Sequence, residues 1–114
     1  MPIPGHERGL IPEAKIRDYL LNPTHSRGRD KSLFFSSLGF VREEWEALER
    51  AIRRDHLDAL DGVSLGQDRW GRKYKIEGDL AGPEGKLAWV RTLWIYRTDE
   101  DFPRFVTAYP RRQP

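Results

Sequence analysis

The run Lys86-Leu87-Ala88-Trp89-Val90-Arg91-Thr92-Leu93-Trp94-Ile95-Tyr96-Arg97 is rich in β-branched and aromatic residues and is predicted to be one long β-strand. Strand geometry puts Leu87, Trp89, Arg91, Leu93 and Ile95 on one face and Ala88, Val90, Thr92, Trp94 and Tyr96 on the other. Both faces carry large apolar groups, which predicts a central strand. Upstream, Ala81-Gly82-Pro83-Glu84-Gly85 has the composition of a turn, and Lys73-Tyr74-Lys75-Ile76-Glu77 alternates like a half-buried strand. Downstream, Thr98 to Pro103 reads as a loop and Arg104 to Tyr109 as a last strand ended by Pro110. Three strands in this order make an antiparallel meander.

Before the meander the apolar period is helical. Pro12 suits a first helical turn, Ile16, Tyr19 and Leu20 follow to Leu21, and Pro23 stops the segment because the residue before proline resists the helical conformation. A second helix is expected from Asp30, as N-cap, to Leu38, with Gly39 as C-cap. A third runs from about Glu43 to Leu60, with Trp45, Leu48, Ile52 and Ala59 as its stripe and Gly62 ending it. Helices followed by a meander give an α+β class, with N-terminal helices packed on a C-terminal antiparallel sheet. Residues 1–11 are expected to be a flexible arm, 12–110 a single domain and 111–114 a tail.

With 114 residues the chain suits one compact domain. Hydrophobic residues are 38% and charged residues 33%, so the core is expected to be thin and the surface highly charged. The net charge of +2 is uneven. From Arg42 to Asp61 there are four basic and seven acidic residues, and the rest of the chain carries the basic excess around His25–Lys31, Arg69–Lys75 and Arg104–Arg112. If those segments meet, they form a basic face suited to an anionic partner. The absence of cysteine excludes disulfides and thiolate metal sites, and His6, His25 and His56 lack metal-ligand spacing. No metal or cofactor is expected. No apolar run is long enough to span a membrane and the start has no signal-peptide pattern, which predicts a cytoplasmic setting.

The loop Asn22-Pro23-Thr24-His25-Ser26-Arg27-Gly28-Arg29-Asp30-Lys31 sets an imidazole beside three cations. Imidazole exchanges protons near neutral pH, and guanidinium and ammonium groups bind phosphate. The bland alternative is a solvated basic loop. Arg91 is a charge on a largely apolar strand face, which requires either a carboxylate partner, with Glu77 and Asp79 as candidates, or an anion site. On the last strand Phe105, Thr107 and Tyr109 are expected to share a face, with the Thr107 hydroxyl available to a phosphate oxygen. His56 in the third helix reads as a surface histidine. Trp70, Trp89 and Tyr109 are aromatic groups able to stack on bases, with core packing as the default. Metal-independent RNA cleavage needs a base, an acid and cations at the phosphate. His25 supplies one proton-transfer group, and no motif supplies the second.

The motifs Tyr19-Leu20-Leu21-Asn22-Pro23, His25, Gly28, Lys31, Phe35 and Leu38-Gly39-Phe40, then Gly71, Tyr74, Gly82-Pro83, Gly85, Val90-Arg91-Thr92, Trp94, Pro103-Arg104 and Val106-Thr107, form a set. It resembles a bacterial domain family of unknown function that recurs at the C-termini of large polymorphic toxins and as small free-standing proteins. The resemblance covers roughly Pro12 to Pro110. It implies a toxin setting and, by analogy of helices followed by a meander, an RNase of the barnase, colicin and RelE group. It singles out His25, Lys31, Arg91, Thr92 and Thr107. The resulting expectation is a metal-independent endoribonuclease toxin with His25, Lys31, Arg91 and Thr107 as catalytic residues. Arg27, Arg29, Thr92 and Tyr109 would bind substrate, RNA would be the substrate, and a small antitoxin or immunity protein would be the partner. The rival expectations are a non-enzymatic RNA- or protein-binding module, and an antitoxin-like accessory protein whose acidic helix docks a basic partner.

Overall fold

The structure is a computed structural model that describes residues 1–113, so the final tail residue, Pro114, lies outside the described residues. The helical half comes first: α1 (Glu13–Lys15) widens into a π-type turn over Ile16–Leu20, then come α2 (Arg29–Ser37) and α3 (Trp45–Ile52), which widens into a second π-type turn at Arg53–Leu57. Four strands follow in sequence order as one antiparallel sheet: β1 (Val63–Asp68), β2 (Gly71–Ala81), β3 (Leu87–Arg97) and β4 (Arg104–Pro110). The α+β class and the meander agree with the sequence. β1 was not legible there, because all six of its residues are exposed and no apolar alternation marks it.

β3 is the central strand that its composition predicts. Val90, Thr92 and Trp94 are fully buried and Tyr96 nearly so, while Trp89, Arg91, Leu93 and Ile95 are half-buried on the opposite face. The buried face meets the helices through Ile16, Leu20, Phe35, Leu48, Ile52 and Leu57, so one face of the sheet is covered and the other is open. Truncating a fully buried Leu or Ile here to Ala is expected to cost about 2–5 kcal/mol.

Three expectations are corrected. Phe105 does not share a face with Thr107 and Tyr109. Leu93 pairs with Thr107 but Trp94 pairs with Phe105, so Val106 is an extra residue on β4. This bulge turns Phe105 into the core, against the Trp94 ring, and leaves Thr107 and Tyr109 on the open face. His56 is not a surface residue: it is fully buried, whereas Ala59, placed on the apolar stripe, is exposed. Leu48, Ile52 and His56 follow one another at i+4, so helical period itself carries His56 inward.

The N-terminal segment, read as a loose arm, is docked. Ile3 and Ile11 are buried, the Tyr96 hydroxyl donates to the Pro4 carbonyl at 2.5 Å, and Leu10 exchanges backbone bonds with Pro103 and Phe105. His6 Nδ1 also lies 2.8 Å from Asp58 Oδ1. Two buried isoleucines and a parallel bridge to Arg104 outweigh the loop-like composition.

Candidate active site

An open cleft of about 540 Å³ lies where the first helix and the following loop cross the edge of β4, lined by Pro12, Ala14, Lys15, Tyr19, His25, Arg27, Val106 and Thr107. The β4 bulge supplies Val106 and Thr107, and α1 with its π-type turn supplies Lys15 and Tyr19, one helical turn apart. The loop supplies His25 and Arg27. Its shape is set locally. Asn22 Oδ1 accepts from the Thr24 amide at 3.1 Å and from the Thr24 hydroxyl at 2.9 Å, and Asn22 Nδ2 donates to the Asp18 carbonyl. At Gly28 a Cβ would collide with the Tyr19 carbonyl, so glycine lets the loop lie directly on the first helix.

His25 is held by its own loop. The backbone N–H groups of Arg27 and Gly28 both point at its Nδ1, at 3.0 and 3.1 Å. An amide can only donate, so Nδ1 is the acceptor and the neutral ring carries its proton on Nε2. Among the described residues Nε2 has no hydrogen-bond partner, and it is the nitrogen left to a ligand. The ring meets Tyr19 edge-on, with centroids 5.1 Å apart.

Tyr19 stands at the centre of the cleft. Its hydroxyl lies 3.2 Å from Thr107 Oγ1. The Lys31 ammonium is 5.5 Å and the Lys15 ammonium 6.0 Å from its ring centroid. Partial burial pushes the phenol pKa up, but the Thr107 hydrogen bond and the Lys31 and Lys15 charges outweigh this, and the net shift is downward. Tyr19 is thus a phenol whose anion is stabilised, with the His25 ring packed edge-on against it. Sequence reading treated Tyr19 as a helix core residue and missed it. The signal was present: Lys15 and Tyr19 are at i,i+4, and Lys15, Tyr19, His25 and Lys31 all flank one short loop.

The remaining expected residues divide into three places. His25, Lys31, Thr107 and Arg27 meet in or beside the cleft. Arg29 is exposed at the start of α2 and does not line it. Thr92 is on the opposite face of the sheet and fully buried, so its hydroxyl is not presented to the cleft. It accepts from Trp94 Nε1 at 2.9 Å and lies 2.9 Å from His56 Nδ1. Arg91 and Tyr109 are on the open face but outside the cleft. Arg91 Nε donates to Glu77 at 3.1 Å and its Nη1 to the Tyr109 hydroxyl at 3.3 Å, so the carboxylate expected to pair with Arg91 is Glu77. The Tyr109 hydrogen bond and the Glu77 contact raise the Arg91 pKa further.

The fold and this cleft define a small α+β domain with a largely apolar-lined cleft at a bulged sheet edge, bordered by the cations of Lys15, Arg27 and Lys31. Residues 2–112 match the model of a domain of unknown function, DUF6883, and the chain belongs to that family. Comparison with curated proteins finds no match. Among solved structures it is similar in fold to a chain of the contact-dependent growth inhibition toxin–immunity protein complex from Klebsiella pneumoniae 342, with a TM-score of 0.60 at 16% identity. The alignment covers 96% of this chain and 98% of that one. Among the described residues no helix is long and apolar enough to cross a membrane.

Proposed function

We propose that the protein is a metal-independent endoribonuclease toxin that acts in the bacterial cytoplasm, with its site in the Tyr19–His25 cleft. The observation that carries this reading is the Tyr19 phenol, bonded to Thr107 with the Lys15 and Lys31 ammonium groups by its ring and the His25 ring edge-on to it, the His25 Nε2 having no partner among the described residues. The fold shared with a chain of a toxin–immunity complex supports the toxin setting. A toxin made in its own cell needs restraint, which favours a small antitoxin or immunity protein as partner.

In this reading the scissile phosphate of RNA enters the cleft. The 2′-hydroxyl gives its proton to water, O2′ attacks phosphorus, and the bond from phosphorus to O5′ breaks. The Tyr19 phenol donates its proton to O5′, and the phenolate left behind is stabilised by Lys31 and Lys15 until water reprotonates it. His25 Nε2–H and Arg27 donate to the non-bridging oxygens, where charge builds up. Thr107 holds the phenol in place. The products are a 2′,3′-cyclic phosphate and a 5′-hydroxyl.

The test is expression of the chain alone in a bacterium, with growth and RNA integrity followed for the wild type and for Tyr19→Phe. Growth arrest with fragments ending in 2′,3′-cyclic phosphate, both lost in Tyr19→Phe, supports the reading. Normal growth with intact RNA at high expression refutes it, as does full toxicity in Tyr19→Phe. Salt-dependent RNA binding without cleavage would favour a binding module instead.

A further inference from the structure

On the open face of the sheet, away from the cleft, three cations share one carboxylate. Glu77 meets Arg91 Nε at 3.1 Å, Lys75 Nζ at 3.3 Å and Arg111 Nε at 3.8 Å. Register explains the gathering: Glu77 faces Arg91 across β2 and β3, and Arg91 faces Tyr109 across β3 and β4. The Arg111 backbone N–H donates to the Trp89 carbonyl at 3.0 Å, which holds the start of the tail against β3. Glu77 alone would balance Arg91. Adding Lys75 and Arg111 leaves an excess of two positive charges around one carboxylate, with Arg111 exposed but Lys75 and Arg91 half-buried, where like charges repel more strongly than in open water. Such an arrangement is relieved by an anion.

Tyr109 connects the cluster to β4, the strand that borders the cleft. Tyr109, bonded to Arg91, and Thr107, bonded to Tyr19, are two residues apart on one face of β4, or about 7 Å at strand rise. We propose that Lys75, Arg91 and Arg111 hold a second phosphate of a single-stranded RNA whose scissile phosphate lies in the cleft, with the half-buried Tyr109 ring as a stacking surface for a base between them. This rests on the ribonuclease reading for the identity of the ligand. It moves Arg91 from the reaction centre to a substrate-positioning site, and adds Lys75 and Arg111 to it.

Binding of a labelled 2′-O-methyl oligoribonucleotide, which the proposed reaction cannot cleave, is measured by fluorescence anisotropy against salt. Cleavage of the all-ribose RNA is followed in parallel. Arg111→Gln is expected to weaken binding several-fold and to reduce the slope of log affinity against log salt by about 0.7, the value for one lost phosphate contact on a single strand. Glu77→Gln keeps an acceptor for Arg91 but adds one positive charge to the cluster, so it is expected to tighten binding. A purely structural ion-pair network predicts no tightening. Unchanged affinity and slope in Arg111→Gln, weaker binding by folded Glu77→Gln, or no binding by the wild type overturns the proposal. Equal displacement of the RNA by an acidic peptide of the same charge would assign the surface to a protein partner and overturn it too. Cleavage with unchanged Arg111→Gln binding removes the subsite and leaves the ribonuclease reading. The expected binding pattern without cleavage does the reverse.

Discussion

Thr92→Val is the substitution that separates a structural threonine from a functional one. Valine matches threonine in shape and suits a β-strand, so propensity alone predicts no loss. The hydrogen bonds predict otherwise. His56 Nε2 lies 3.2 Å from the Gly78 carbonyl, which only accepts, so Nε2 carries the proton and Nδ1 is an acceptor. The Thr92 hydroxyl then donates to His56 Nδ1 at 2.9 Å while accepting from Trp94 Nε1 at 2.9 Å. All three residues are fully buried. Removing the hydroxyl leaves two buried polar atoms unpaired at about 1–3 kcal/mol each, a total of about 2–6 kcal/mol. With a urea m-value of about 2 kcal/mol per molar, the unfolding midpoint falls by about 1–3 M. Thr92→Ser keeps the hydroxyl and loses one methyl, at about 1 kcal/mol, so it is expected to lie between wild type and Thr92→Val. The measurement is urea unfolding followed by tryptophan fluorescence. A Thr92→Val protein as stable as wild type, or more stable than Thr92→Ser, would falsify this account of the core.

Stability is also expected to fall in mild acid. Burial holds the His56 pKa below its ordinary 6.5, only partly offset by its bond to Gly78 and by nearby Asp55, so the unfolded chain binds the proton more readily. The contribution is therefore full above pH 6.5 and is lost as pH falls below it. Urea midpoints from pH 8 to pH 5 should decline in the wild type and decline less in His56→Gln; equal slopes would remove His56 as the cause. A second acid phase is expected from Asp55, whose carboxyl is held low chiefly by Arg54, and also by the Ala81 amide against the effect of burial. Its stabilisation is lost as pH drops below about 3.8. Gly28→Ala should press on the Tyr19 carbonyl and lower stability by about 1–3 kcal/mol, with a larger proportional loss of toxicity than of stability. Full toxicity in a folded Gly28→Ala protein would show that the loop does not position the cleft.

The sheet was legible because β3 and β4 are apolar runs bounded by Gly, Pro and charged turns. The exposed β1 hairpin was not, since nothing in Val63–Asp68 is buried to impose a pattern. Face assignments on β3 followed from alternation and hold residue by residue. On β4 they failed at Phe105, because a single inserted residue reverses alternation and composition does not announce a bulge. The histidines show the limit most clearly. His25 and Lys31 were readable as a cluster because sequence neighbours stay neighbours. Arg91 was readable as a residue needing a partner, but not as one whose partners lie outside the cleft. His56 was misread through its polarity, although its spacing from Leu48 and Ile52 placed it in the core.

Tyr19 shows why the site could not be assembled from any one segment. A lone phenol on a short helix is an ordinary half-buried aromatic. Its acidity here depends on Lys15 from the preceding turn, Lys31 from α2 and Thr107 from the β4 bulge, so three elements must dock before the group acquires its chemistry. The same docking brings His25 edge-on to the ring, through a loop that only a glycine at position 28 allows to lie so close. Without the bulge, strict alternation from the inward Phe105 would put Val106 outward and turn Thr107 toward the core. Tyr19 would then lose its hydrogen-bond partner and keep only the two ammonium groups. Local irregularity on β4 is therefore what couples the sheet to the loop, and it is the feature on which the proposed chemistry depends most directly.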